Sequence, residues 1–234
     1  MYELGILFSY HEDTNVTRTN LAALIESNPT IPVIPISNGD VINDSCHISQ
    51  CGKLGRKWLA LGTNKWNKWK NADLPYFAWY ATCKSVECKR WILIEYDVYC
   101  KMSLIDFVAP TSQYDFVGCT ITMPTREHNW YWFVDQHTLT EELKKFACGS
   151  VPLVCTIISD KAMQKMTQYY LDYVDNHLDH CPCELRIGTI ANFLGFSPVP
   201  NCHPQARNIT WMSVYDKTFA PKEGLWHPIK HLIQ

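Results

Sequence analysis

Eight residues, Trp91-Ile92-Leu93-Ile94-Glu95-Tyr96-Asp97-Val98, constrain the fold of this chain more than any others. A short apolar run, rich in β-branched residues, ends abruptly in two carboxylates spaced i, i+2. Strands buried on both faces of a parallel sheet read as continuous apolar runs of this kind. Side chains alternate along a strand, which predicts Glu95 and Asp97 on one face and Tyr96 on the other. Open α/β sheets bind ligands beyond the carboxyl ends of their strands. Two acids placed there make a hard oxygen nest suited to Mg²⁺ or Mn²⁺, and through the ion to a diphosphate. The alternative is a strand that simply ends in a solvated acidic turn.

The flanking pattern supplies the rest of an α/β unit. Leu4–Phe8 reads as a first strand, followed by the polar loop Ser9-Tyr10-His11-Glu12-Asp13-Thr14. Asn15 is placed to cap a helix carrying Val16, Leu21, Leu24 and Ile25 on one side. Ile31–Ile36 is a second strand, made edge-like by Pro32 and Pro35. It runs into the turn Ser37-Asn38-Gly39-Asp40, which carries another acid. Val41 to Lys70 reads as loop-rich, with Cys46 and Cys51 inside it. Asp73 then stands as the cap of a helix, Leu74–Lys84, with Pro75 tolerated in its first turn. Leu104–Val108 and Leu139–Phe146 read as shorter helices, and Tyr114–Thr122 as a strand. Ser159 is set to cap a long helix whose Met163, Met166, Tyr170, Tyr173 and Val174 fall at helical spacing, a core stripe. Glu184–Leu194 reads as a helix ending at Gly195. With no repeat or linker in view, the expectation is one domain over residues 1–234, a mostly parallel sheet flanked by helices.

Composition removes several function classes. Net charge is −2, and no basic stripe extends beyond Lys65–Lys70, so nucleic-acid binding is disfavoured. No apolar stretch approaches the roughly 20 residues needed to span a bilayer. Eleven cysteines invite a disulfide reading, but the number is odd and no signal peptide is visible ahead of the first strand. The expectation is a cytoplasmic protein whose thiols are mostly unbridged and buried. On that expectation Asn15, Asn43 and Asn208, each in an N-x-S/T triplet, are chance matches to the glycosylation pattern. The 9 Trp, 12 Tyr and 9 Phe suit a sugar site or a well-filled core equally.

Taken in order, these parts resemble a glycosyltransferase of the GT-A, nucleotide-diphospho-sugar transferase type. The matching pieces are the opening strand and helix, Asp40, Asp73, Glu95-Tyr96-Asp97, Glu184 and His227. The acidic pair is Glu-x-Asp where that family usually has Asp-x-Asp. The resemblance implies a GT-A-like (Rossmann-like) fold and a UDP- or GDP-linked sugar donor. It also implies a glycan or lipid-linked acceptor, and Mn²⁺ or Mg²⁺ held by Asp97, Glu95 and His227. By position it makes Ser9, Tyr10, His11 and Asp40 contacts of the nucleoside, with Tyr10 stacked on the base and Asp73 near it. Lys230 would reach a phosphate, Glu184 would be the general base, and Trp130, Tyr131 and Trp132 an acceptor platform. Each has a plainer alternative: Asp73 as a helix cap, Glu184 as an acid favoured by a helix N-terminus, His227 as a packed ring beside Trp226. Two other functions compete. One is a non-catalytic sugar-nucleotide-binding protein on the same fold. The other is a zinc protein using His177, His180, Cys181, Cys183, Cys202 and His203, although Cys181-Pro182-Cys183 has poor spacing for chelation.

Overall fold

The computed structural model describes residues 1–42, 45–124, 138–173, 180–211 and 222–230. Its strands are β1 (Gly5–Tyr10), β2 (Val33–Ser37), β3 (Cys46–His47), β4 (Arg90–Glu95), β5 (Tyr99–Lys101) and β6 (Phe116–Gly118), then β7 (Thr120–Thr122), β8 (Gly149–Val151), β9 (Ile157–Ser159), β10 (Val199–Pro200) and β11 (Gly224–Trp226). The helices are α1 (Asn15–Ser27), α2 (Gly52–Ala60), α3 (Lys65–Lys70), α4 (Leu74–Thr82), α5 (Leu104–Val108), α6 (Glu141–Lys144), α7 (Asp160–Tyr173) and α8 (Cys183–Phe193).

Seven strands form the central sheet in the order β10-β6-β9-β4-β1-β2-β3. The pairs β1–β2, β1–β4, β2–β3 and β6–β10 are parallel, and β9 runs against both of its neighbours. Helices cover both faces, which is why β4 can be apolar from Trp91 through Ile94. Leu7, Trp91 and Leu93 enter one core with Leu54 and Trp58 of α2, Met163, Met166 and Tyr170 of α7, and Ile187 and Ile190 of α8. Ile6, Phe8, Ile92 and Ile94, the alternate set, enter the other core with Leu21 and Leu24 of α1 and Leu104 and Phe107 of α5. Ile92 and Leu93 are both wholly buried, each worth about 1.5–3 kcal/mol of apolar transfer.

The chain departs from the sequence reading in several places, each for a physical reason. Strand β2 is not an edge: β3 pairs with it, but only at Ile36 and Ser37. The prolines precede that pairing, so no ladder donor is missed. Helix α1 is capped by Thr14, whose hydroxyl accepts from Thr17 N, not by Asn15. The stretch from Val41 to Lys70 holds α2 and α3. Its glycines permit close packing: a Cβ on Gly55 would stand 2.2 Å from the Ile48 carbonyl oxygen. The Tyr114–Thr122 segment divides, β6 joining the main sheet while β7 pairs with β8 in a ribbon. Only Glu141–Lys144 of the expected Leu139–Phe146 helix is helical. Ser159 caps α7 as expected, its Oγ accepting from Ala162 N, and Met163, Met166 and Tyr170 are core, but Tyr173 is exposed.

Candidate functional site

Helix α1 carries the chain from β1 to β2 on one side, whereas β4 returns to pair with β1 on the other. The carboxyl ends of β1 and β4 therefore flank a topological switch point, the place where open α/β sheets leave a crevice. Here the ends of the two strands and the residues that follow, Ser9-Tyr10-His11 and Glu95-Tyr96-Asp97, line a cavity of about 1110 Å³. Val151-Pro152-Leu153-Val154 and Glu184 form another part of its wall, and His227 and Lys230 come from the tail.

Strand β4 ends at Glu95, and the alternation expected through Asp97 does not hold. Val98 N donates to Glu95 O (3.0 Å), closing a turn that holds Tyr96 and Asp97. The turn feeds β5, which pairs antiparallel with β11 in the register Tyr99↔Trp226. Ile229 N then donates to Asp97 O (2.7 Å). That ribbon is what brings His227 over the end of the central sheet, a contact between residues 130 positions apart.

The result is a matched pair of acceptors. His227 Nδ1–H donates to the Thr210 carbonyl (2.6 Å), which leaves Nε2 as the ring's lone-pair nitrogen in the neutral imidazole. Nε2 lies 3.4 Å from Asp97 Oδ1, an atom that is buried and without a hydrogen-bond partner. Two lone pairs facing each other out of water repel unless a proton or a cation lies between them. A ring that donates its second nitrogen to a carbonyl is the usual posture of a metal-ligating histidine. Asp97 and His227 thus offer two ligand atoms of the mixed N/O kind that Mn²⁺ accepts, but Glu95 does not join them in a metal-sized group, and a protonated His227 ring paired with Asp97 satisfies the same two atoms. Burial disfavours the charged His227 ring, but Asp97 beside it outweighs that and raises its pKa. Glu95 is pushed up to about 8, by burial first and by the Asp97 charge second, with His227 and Lys230 pulling the other way. A carboxyl at that value keeps its proton at neutral pH until a positive charge arrives.

Glu184 stands in the first turn of α8, nearly buried, and accepts a weak hydrogen bond from Cys183 Sγ (3.2 Å). Burial raises its pKa, the direction that makes a carboxylate a better proton acceptor near neutral pH. His11 packs edge-on to Tyr96, ring centroids 4.7 Å apart, and burial lowers its pKa, so its imidazole is neutral at pH 7. Ser9 Oγ accepts from Asn38 Nδ2 (3.3 Å) on the cavity wall.

Other expected positions are engaged elsewhere in the fold. Tyr10 touches the cavity, but its side chain is 1% exposed and its hydroxyl is spent on Ile42 N and Ser45 Oγ, both at 2.7 Å. It holds the loop after β2 and offers no open face to a base. Asp40 is exposed, accepts from Asp13 N (3.2 Å) and lies outside the lining, to which Asn38 and Gly39 of the same turn belong. Asp73 makes no side-chain cap bond and does not line the cavity. Wholly buried, it pairs with the wholly buried Arg186 of α8 through Nε (2.9 Å) and Nη2, and accepts from the Tyr170 hydroxyl. Of the soft-ligand set, His177 lies outside the described residues. Cys181, Cys183 and His203 are engaged separately, with Pro182 O, Glu184 and Gln205 N, and among the described residues no metal-sized group forms there. Trp130, Tyr131 and Trp132 also lie outside the described residues.

Sequence reasoning missed one wall entirely. Trp58 of α2 and Lys65, Trp66, Lys68 and Trp69 of α3 line the cavity, with Trp211 at 74% exposure on its rim. Trp58 Nε1 is buried with no partner. The spacing of the buried residues Leu54 and Trp58, i and i+4 with basic residues between, was the available signal. Among the described residues, no helix is long and apolar enough to cross a membrane.

No family model and no curated protein matches the sequence. Among solved structures, the chain is similar to mouse xyloside xylosyltransferase 1 in its apo form, at 10% identity over 85% of this chain and 84% of that one, with a TM-score of 0.42. It is also similar to the galactosyltransferase LgtC in complex with donor and acceptor sugar analogues, at 10% identity over 83% of this chain and 73% of that one, with a TM-score of 0.38. Both likenesses are of chain path alone.

Proposed function

We propose that this chain is a glycosyltransferase of GT-A type, acting as a single unit over residues 1–234. It moves a sugar from a nucleotide-diphosphate donor, UDP- or GDP-linked, to a hydroxyl of a glycan or lipid-linked acceptor. The observation that carries the reading is the unpartnered Asp97 Oδ1 facing His227 Nε2 at 3.4 Å, at the switch point of the sheet. Asp97 and His227 would hold Mn²⁺ or Mg²⁺, with Glu95, which stands outside their shared ligand distance, reaching the ion through water. When bound, the ion neutralises charge that builds on the departing diphosphate.

The chain's own groups do the rest. Ser9, His11, Asn38 and Gly39 form the wall against which the nucleoside would lie. Lys230, exposed on the cavity edge, is positioned to meet a phosphate. Glu184 accepts the acceptor hydroxyl's proton as the new glycosidic bond forms, the requirement of an inverting transfer.

Thermal stability with Mn²⁺ and a panel of UDP, GDP, CDP and ADP tests the proposal, with Asp97→Ala as control. A nucleotide held at about 100 times its Kd adds roughly 2.7 kcal/mol to the folded state. Stabilisation by one nucleotide, dependent on metal and absent in the variant, is the expected result. A wild type that no nucleotide stabilises refutes the donor site. Binding without release of nucleoside diphosphate from any nucleotide-sugar would instead leave a non-catalytic binder.

A further inference from the structure

Three thiols meet at the start of α2, none of them among the residues lining the cavity. Cys51 Sγ lies 3.6 Å from Cys46 Sγ and 3.6 Å from Cys83 Sγ, and all three sulfurs fall within 4.8 Å of one another. They come from three separate elements: Cys46 from β3, Cys51 from the residue before α2, and Cys83 from the residue after α4. Their hydrogen-bonding alternatives are poor, being backbone carbonyls of His47 and Gln50 at 3.7–4.0 Å. We propose that Cys46, Cys51 and Cys83 bind one thiophilic d¹⁰ cation, with zinc as the natural occupant and solvent as the fourth ligand.

The spacing decides between this and a disulfide. Thiolates at the zinc–sulfur distance of about 2.3 Å stand about 3.8 Å apart along the edges of a tetrahedron. The observed 3.6 Å separations need a few tenths of an ångström of adjustment. A disulfide needs the sulfurs at about 2.05 Å and would leave the third thiol out. No other His, Cys, Asp or Glu among the described residues joins the group, and Cys46 and Cys83 are only half-buried, which leaves the fourth position to water. A bound cation would fasten β3 and α2 to α4. Strand β3 is two residues long and follows the turn that holds Asn38 and Gly39 on the cavity wall, so the clamp would fix the edge of the sheet there. Burial pushes the Cys46 thiol up to about 11, so binding must displace protons and strengthens with pH.

The test is a titration of the full chain with Cd²⁺ and then Zn²⁺, after chelation and under a non-thiol reductant. The expected result is one Cd²⁺ per chain with a thiolate-to-cadmium charge-transfer band and a higher melting temperature, the band yielding only to a large excess of Zn²⁺ because thiolates hold the softer ion more tightly. The band is lost in Cys46→Ser and Cys83→Ser, whose half-buried positions tolerate the change, and kept in Cys202→Ser, an exposed thiol outside the group. X-ray absorption on the wild type reads the sulfur number directly, with three expected whether or not the variants fold. A wild type without the band, a band unaffected by both serine variants, or fewer than three sulfurs around the ion overturns the assignment.

Discussion

Removing the Asp73 carboxylate tests the largest correction made to the sequence reading. Asp73 and Arg186 are both 0% exposed, and Arg186 also donates to the Cys181 carbonyl (2.9 Å). Asp73→Ala takes the bidentate carboxylate from a buried guanidinium and strips the Tyr170 hydroxyl of its acceptor. Breaking one side of a buried pair costs about 3–5 kcal/mol, a large part of the roughly 5–15 kcal/mol that holds a domain folded. For a chain of this length each kcal/mol moves the melting temperature about 2–4 °C, so the drop is roughly 6–20 °C. The paired variant Asp73→Leu with Arg186→Met removes both charges and should return to within about 2 kcal/mol of wild type, since a hydrophobic replacement of a buried pair is often neutral. Urea denaturation of wild type, Asp73→Leu, Arg186→Met and the paired variant gives the coupling directly, provided the slope against denaturant is unchanged. An Asp73→Ala protein within about 1 kcal/mol of wild type, but weakened in nucleotide binding, would refute the structural role and restore Asp73 to the site.

Four further outcomes are expected. Asp97→Ala should lower kcat by about 10²–10⁴, or roughly 3–5 kcal/mol of transition-state stabilisation; near-normal turnover would remove Asp97 from the metal site. His227→Ala should weaken Mn²⁺ at least about tenfold, read by calorimetry, and unchanged affinity would return His227 to a packing role. In Gly39→Ala the new Cβ would stand 2.0 Å from the His11 carbonyl oxygen. It should part the two loops, costing about 1–3 kcal/mol of stability and about tenfold in nucleotide affinity; a variant normal in both measurements would contradict the packing. Stability should also fall above about pH 9, because burial pushes Cys100 up to about 11 and Cys148 up to about 12. The unfolded chain releases these protons near pH 9 while the folded chain keeps them, so each thiol contributes a decline of up to about 1.4 kcal/mol per pH unit between the two values. Urea midpoints that hold level or rise from about pH 8 to 11 would show the thiols ionising in the folded state.

How much of this was legible follows from which interactions are local. The apolar run of β4 and the β1-α1-β2 unit could be read because burial on both faces writes itself into consecutive residues, and the alternate sets Leu7/Trp91/Leu93 and Ile6/Ile92/Ile94 do divide between two cores. Helices α2 and α3 could not be read from the same cues. Gly52 and Gly55 look like turn residues, yet Gly55 admits the Ile48 carbonyl oxygen and Gly52 combines a positive φ with close contact to Thr82. Close approach between backbones leaves the same letter in the sequence as a turn does. The pairing of Asp73 was illegible for a related reason: its partner Arg186 lies 113 residues away, and nothing near either residue announces the other.

The site itself was half legible, and the dividing line is instructive. Glu95, Asp97, Glu184, His227 and Lys230 all reach the cavity, but the reason for His227 was not visible in its own neighbourhood. It is delivered by a three-residue ribbon, β11 on β5, whose register sets Trp226 against Tyr99 and whose continuation ties Ile229 N to Asp97 O. The same ribbon fixes the turn holding Asp97. That backbone interaction ties the turn of the carboxylate to the strand of the imidazole, alongside the Val98 N–Glu95 O turn on one side and the bonds of His227 to Asn208 and Thr210 on the other. Ile229→Pro removes the donor to Asp97 O, and the lost hydrogen bond alone costs about 1 kcal/mol. Its effect on Mn²⁺ affinity should be larger than that figure predicts, because Asp97 Oδ1 and His227 Nε2 lose their common anchor. Equal losses in stability and metal affinity would mean that the two ligands are held independently.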